Sequence, residues 1–144
     1  MDCLDCHNRP AHTFSPAADR AVDGLIASGA VSPAVPYVRR EMIAALKKAD
    51  AGPGAAESVI ASHLEGFYRT ADAQLAPEIR RAVAATQQLH RRNVFPDMKV
   101  TWGTYVSQLG HSDVPGCFRC HDDNHKARDG RVVRQSCELC HSIK

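Results

Sequence analysis

The pattern Cys-x-x-Cys-His occurs three times in this chain and constrains it more than any other feature. The copies begin at Cys3, Cys117 and Cys137. In such a motif each thiol can add to one vinyl group of a haem, and the adjacent histidine can ligate the iron. The sequence therefore predicts three covalently attached c-type haems. The predicted attachment residues are Cys3, Cys6, Cys117, Cys120, Cys137 and Cys140, and the predicted proximal ligands are His7, His121 and His141.

Zinc is the alternative partner of these motifs, because Cys-x-x-Cys also supplies half of the ligands in many zinc sites. A structural zinc ion needs four protein ligands, and a Cys-Cys-His set repeated three times does not supply four for each metal. All 6 cysteines of the chain lie inside the motifs, so none is left for a disulfide or for nucleophilic chemistry. Haem attachment is the favoured interpretation.

The composition agrees with a chain that folds around cofactors. A length of 144 residues is typical of one domain, and only 6% of the residues are aromatic. Three porphyrins would add large apolar surfaces, so we expect the haem-free chain to be poorly folded. The formal charge of +2 would be offset by haem propionates, which argues against nucleic-acid binding.

The expected location follows from where c-type haem is attached, outside the bacterial cytoplasm. No stretch approaches the ~20 apolar residues of a membrane helix, and no export signal precedes the first motif. We therefore expect a mature or excised chain that resides in the periplasm or outside the cell.

The part of the chain between Cys6 and Cys117 contains no cysteine and has helical patterning. Helices are predicted from Ser15-Pro16 through Ala27, from Pro36 to Ala49, from about Ala55 to Ala71, and from Pro77 onward. An extended loop is predicted over Asn93–Gly116, and a short hairpin with an Asp129-Gly130 turn over Lys126–Val133.

These elements predict an all-α fold with little or no strand. A helical insert over about 15–92 separates the haem motif at 3–7 from the two motifs within 117–141. We expect residues 1–144 to form a single triheme domain.

Five histidines outside the motifs are candidates for the three distal iron positions: His12, His63, His90, His111 and His125. His12 and His125 follow a proximal histidine so closely that the linking chain spans at most ~17 Å, too little to pass around the porphyrin. Each is therefore predicted to ligate a neighbouring haem. His111 lies in a glycine-flanked loop that can approach a porphyrin.

We predict His12, His111 and His125 as distal ligands, which would make every haem bis-histidinyl. The predicted hairpin would place His125 beside Arg134 or Gln135, so the third haem is its expected target; the other pairings stay open. For His63 and His90, on apolar helix faces, a packed or hydrogen-bonded role is preferred. Met98 is the alternative axial ligand, with a core role preferred.

Three stretches carry a family resemblance: Cys3–Phe14, Asn93–Tyr105 and Gly110–His121. They resemble the C-terminal, periplasmic region of NapC/NirT-type multihaem cytochromes of metal- and anaerobe-respiring bacteria. The resemblance implies that His12, His111 and His125 are haem ligands. It also implies electron relay, and a membrane quinol-oxidising module in a longer parent chain.

The favoured function is electron transfer through three haems, without catalysis. Its expected setting is anaerobic or metal-linked respiration, and the expected partners are other cytochromes and redox proteins. A multihaem reductase of a small nitrogen or sulfur oxyanion is an alternative, as is a haem-based redox or gas sensor. Both alternatives need an iron with an open coordination position. The number of spare histidines argues against such an open iron.

Overall fold

A computed structural model describes residues 14–51, 55–104, 115–127 and 129–139. Backbone contacts divide the chain into two compact units. One is Phe14–Thr104, which we call the helical unit. Of the other, which we call the C-terminal unit, the structure describes residues 115–127 and 129–139.

The helical unit is built from four described α-helices: α1 (Ala18–Ala27), α2 (Val38–Ala51), α3 (Ala56–Phe67) and α4 (Ala76–Asn93). Helix α2 is central, since it packs against the other three, and α4 also packs against α1 and α3. Short 3-10 turns span Ala73–Leu75 and Pro96–Met98. Across the described residues there is no sheet, and the only strand-like pairs are two isolated antiparallel bridges. The predicted all-α fold class is confirmed.

The core of the helical unit consists of aliphatic side chains that recur at helical spacing. On α2 these are Met42, Ala45, Leu46 and Ala49, the i, i+3, i+4, i+7 positions of one face. The largest apolar side chains that are completely or almost completely buried are Val22, Val31, Val35, Met42, Leu46, Ile60 and Leu64. Burying each of these large side chains contributes about 1.5–3 kcal/mol to stability. All of them belong to the helical unit, so the core of this unit is built from its own residues.

The helix starts differ from the predicted ones for local reasons. Ser15 does not cap α1, because Ala17 occupies the N-cap position; the Ser15 amide donates instead to Asn93 Oδ1, 2.6 Å away. The predicted start of the second helix at Pro36 is wrong. Tyr37 has a φ of 61°, in the left-handed region, and α2 can begin only at Val38.

The predicted end of the third helix at Ala71 is also wrong. Helix α3 ends at Phe67, with Tyr68 at its C-cap. The Tyr68 hydroxyl donates to the main-chain carbonyl of Pro36 at 2.8 Å, which ties the end of α3 to the segment before α2. Burial of the ring, together with the nearby Glu41 carboxylate, raises the pKa of Tyr68 to about 12.

The segment after α4 is compact where the structure describes it. Phe95 and Val100 exchange two main-chain hydrogen bonds of 2.8 and 3.1 Å around the 3-10 turn Pro96–Met98. Gly103 lies so close to the chain before α1 that a Cβ atom on it would be 2.7 Å from the Pro16 carbonyl oxygen. The rest of the loop predicted over Asn93–Gly116, from 105 to 114, lies outside the described residues.

Within the described ranges, no helix has both the length and the apolar character needed to cross a membrane.

Candidate haem-binding site

The structure describes five of the twelve predicted haem-site residues, all in the C-terminal unit: Cys117, Cys120, His121, His125 and Cys137. The others lie outside the described residues, and their roles stay predictions. These are Cys3, Cys6, His7, His12, His111, Cys140 and His141.

The second motif adopts a tight helical turn. Residues Gly116–Arg119 form a 3-10 turn, and the His121 amide donates to the Cys117 carbonyl at 3.0 Å. The third motif begins with the same conformation, a 3-10 turn over Cys137–Leu139. Over the part of the third motif that the structure describes, the two copies of the pattern thus share one local conformation.

The described thiols are compatible with thioether formation. Cys117, Cys120 and Cys137 take part in no disulfide. Burial raises the pKa of the Cys120 thiol, and the nearby Asp122 carboxylate raises it further. Cys120 is therefore a poor thiolate by itself.

The imidazole of His121 is held by the opposite strand of the hairpin. Its Nδ1 lies 2.9 Å from the main-chain carbonyl oxygen of Arg134. A carbonyl only accepts, so in the neutral ring Nδ1 carries the proton and Nε2 keeps its lone pair. This is the tautomer that ligates a metal through Nε2, and the hydrogen bond to the Arg134 carbonyl orients the ring.

His125 is in the same tautomer, with a carboxylate as its partner. Its Nδ1 lies 2.8 Å from Asp122 Oδ1. The same oxygen also accepts from the amides of Asn124 and His125, each at 3.0 Å. These bonds, the one from the His125 side chain foremost, hold the pKa of Asp122 far below its usual range. Asp122 thus fixes both the loop and the ring.

The predicted hairpin is present, and its second half contacts both histidines. The Ala127 amide donates to the Arg131 carbonyl at 2.8 Å, and Gly130 turns the chain with a φ of 84°. The expected neighbour of His125, Arg134 or Gln135, is wrong. The Val133 amide donates to the His125 carbonyl at 2.9 Å, so His125 pairs with Val133. The carbonyl of Arg134 serves His121 instead.

The C-terminal unit fits a haem because its described residues provide little core of their own. Only Gly116 is buried among them. Val132 and Leu139 expose 41% and 58% of their surface. Porphyrin faces would cover such side chains, while the motif thiols and the Nε2 atom of His121 match the bonds that a c-type haem makes.

His63, in the helical unit, uses both ring nitrogens for other contacts. Nε2 lies 2.9 Å from Glu41 Oε2, and Nδ1 lies 2.9 Å from Lys48 Nζ. The carboxylate only accepts and the ammonium only donates, so Nε2 carries the proton. His63 thereby links α3 to α2.

His90 makes a similar contact on α4. Its Nε2 lies 3.2 Å from Asp50 Oδ1, and Asp50 Oδ2 accepts from the indole nitrogen of Trp102 at 2.9 Å. Both helical histidines thus direct Nε2 at a carboxylate, whereas His121 and His125 are held through Nδ1.

Sequence reasoning missed the acidic partners of these histidines. Asp122 precedes His125 by three residues, a spacing that could have been noticed, since Asp side chains accept hydrogen bonds from the residues that follow them. Glu41 and Asp50 lie on a different helix from the histidines that they contact. No local pattern reports such a pairing.

The comparisons agree with these features. The chain is 38% identical over 148 residues to the cytochrome c-type protein ImcH of Geobacter sulfurreducens; the alignment covers 99% of this chain and 29% of the length of that protein. No protein-family model and no solved structure matches the sequence. The similarity supports a multihaem cytochrome c. The name of this relative, a cytochrome c-type protein, denotes a protein that carries covalently bound haem c.

Proposed function

We propose that this chain is a triheme electron-transfer module that relays electrons through covalently bound c-type haems. The observation that carries the proposal is the hydrogen bond from His121 Nδ1 to the Arg134 carbonyl, which prepares Nε2 of a motif histidine for iron. Three Cys-x-x-Cys-His motifs extend this interpretation to three haems.

The described residues would divide the work of haem binding in a simple way. Cys117 and Cys120 would hold the second haem by thioether bonds, and His121 would ligate its iron. Cys137 would attach the third haem. A bound haem supplies reversible one-electron chemistry, while the hairpin keeps His121 and His125 in fixed orientations.

Distal ligation by His12, His111 and His125 would leave no open iron. Every haem would then be bis-histidinyl, so electrons could pass without substrate binding. In this proposal, residues 1–144 form a single triheme domain in which the helical unit is an insert between the haem-binding parts.

The respiratory setting is part of the same proposal. We infer a periplasmic or extracellular location, with other cytochromes and redox proteins as donors and acceptors in anaerobic or metal-linked respiration. The aligned region is 29% of the relative's length, which leaves room in such proteins for additional modules. A membrane quinol-oxidising module of the NapC/NirT type would be one such module.

Mass spectrometry of the denatured protein tests the haem count. The polypeptide of 15.7 kDa should carry the mass of three haems that survive unfolding, because thioether bonds persist in denaturant. A polypeptide mass without added haem, or with zinc alone in the native protein, would overturn the proposal.

Histidine variants test the ligand set. Replacing His12, His111 or His125 by alanine should convert one low-spin iron to a high-spin iron that binds carbon monoxide. His63→Ala and His90→Ala serve as controls and should leave all irons low-spin, because both side chains contact carboxylates in the helical unit. Carbon monoxide binding to the unaltered protein would favour a reductase or a sensor instead.

A further inference from the structure

We propose that Asp122 is a positioning residue that holds His125 with Nε2 toward iron and lowers the reduction potential of the haem that His125 ligates. The inference rests on the proposed function, in which His125 is a distal ligand. It adds a residue that ligates no iron and yet influences the reduction potential of one haem.

The first support is the geometry around one carboxylate oxygen. Asp122 Oδ1 accepts three hydrogen bonds, from Asn124 N, His125 N and His125 Nδ1, at 3.0, 3.0 and 2.8 Å. The two amide bonds fix the carboxylate relative to the main chain of His125, and the third fixes the ring relative to the carboxylate. The ring orientation is thus determined within a four-residue loop.

The second support is the difference between the two described histidines of this unit. His121 donates to a neutral main-chain carbonyl, whereas His125 donates to the side-chain carboxylate of Asp122. A hydrogen bond to an anion is shorter and stronger than one to a neutral oxygen. It draws the Nδ1 proton away from the ring and makes Nε2 a more basic ligand.

The physical consequence concerns the two oxidation states of iron. A more basic imidazole donates more charge to iron, which stabilises the ferric state more than the ferrous state, so the potential falls. If His121 and His125 serve different haems, as the short spacing between them predicts, the two adjacent centres are held at different potentials. This difference in potential would then favour electron transfer in one direction between the two haems.

The test is Asp122→Asn in the full holoprotein, followed by spectroelectrochemical titration. Asparagine keeps an oxygen for the two loop amides but makes the bond to His125 a neutral one. One of the three midpoint potentials should rise by about 59 mV, which is a tenfold change in the oxidised-to-reduced equilibrium of a one-electron centre. The separate variant Asp122→Glu retains the anion, so its midpoint potential should stay close to the wild-type value.

Asp123→Asn is the matched control. Asp123 is the next residue and exposed, and its Oδ1 accepts from the Gln135 amide at 3.1 Å. The variant removes the same charge without touching a histidine contact, so its shift should be clearly smaller. Equal shifts in the two asparagine variants would reduce the effect to net charge and overturn the proposal, as would a glutamate variant that behaves like Asp122→Asn.

His125→Ala separates this inference from the proposed function. If His125→Ala opens an iron while Asp122→Asn moves no potential, the positioning role is wrong and the ligation stands. If His125→Ala leaves every iron low-spin, His125 is not a ligand, and the role of Asp122 fails with it.

Discussion

At the scale of the residue, the hydrogen-bond partner of an imidazole decides which ring nitrogen remains for a metal. His121 and His125 donate through Nδ1, and His63 and His90 face carboxylates through Nε2. All four are histidines at half-buried or buried positions, so composition and burial do not separate them. The tautomer does, and it supports ligand roles for the first pair only.

Two glycines should respond to alanine in opposite directions. Gly103→Ala should lower the free energy of unfolding by about 1–3 kcal/mol, because its φ is 68° and the new Cβ would be 2.7 Å from the Pro16 oxygen. Gly24→Ala, inside α1 with nothing within 4 Å, should raise it by about 0.5–1 kcal/mol. Urea denaturation followed by far-UV circular dichroism measures both. Stabilisation by Gly103→Ala would contradict the close approach.

Tyr68 should make the helical unit sensitive to alkali. Its pKa is raised to about 12, so the unfolded state, with an ordinary tyrosine pKa near 10, releases the proton first. The contribution to stability is complete below about pH 10 and is lost as the pH rises toward 12.

The measurement is urea denaturation at pH 9 and pH 11.5. Tyr68→Phe should lose about 1 kcal/mol at pH 9, because its bond to Pro36 is gone, and should then decline less with pH than the unaltered protein. Tyr37→Phe is the control, since that ring is 65% exposed. An unchanged alkaline decline in Tyr68→Phe would refute the assignment.

At the scale of the element, the sequence predicted the existence of all four helices but not where two of them begin or end. Helical periodicity and Pro77 in the first turn of α4 are local signals. The left-handed φ of Tyr37 has no signal in the local sequence, and the Tyr68–Pro36 bond joins segments that are far apart in sequence. The same limit applied to the hairpin, where the Asp129-Gly130 turn was predictable and the neighbour of His125 was not.

The buried Glu41 should stabilise the packing of α2 on α3. Its two oxygens accept from Arg40 Nε at 2.6 Å and from His63 Nε2 at 2.9 Å. Glu41→Ala would leave the His63 donor without this partner, so the free energy of unfolding should fall by about 1–3 kcal/mol. Glu65→Ala, at an exposed position on α3, should change it by less than about 0.5 kcal/mol.

A double-variant cycle isolates the Glu41–His63 pair. If the two side chains stabilise each other, Glu41→Ala and His63→Ala combined should cost less than the sum of the single changes. Strict additivity would mean that the 2.9 Å contact contributes nothing to stability.

At the scale of the whole molecule, the two units differ in what they need in order to fold. The helical unit has an aliphatic core of its own side chains, whereas only Gly116 is buried among the described residues of the C-terminal unit. The low aromatic content suggested that the whole chain needs haem in order to fold. The described core restricts that expectation to the C-terminal unit.

A variant with all 6 cysteines replaced by alanine should show this difference. It should retain most of the far-UV helical signal and a cooperative thermal transition, because α1–α4 bury their own apolar faces. Backbone amides of the hairpin, by contrast, should lose protection from hydrogen exchange. Loss of nearly all helical signal would mean that the helical unit also requires haem.

The two ends of the helical unit meet at one place. The Ser15 amide contacts Asn93, the rings of Phe14 and Phe95 pack edge to face with centroids 5.9 Å apart, and Gly103 lies against Pro16. A segment that starts and finishes at the same point can be lengthened, shortened or exchanged without stretching the chain on either side. Evolution could therefore vary this unit as an interchangeable cassette, and protein engineers could replace it with another domain whose termini are equally close.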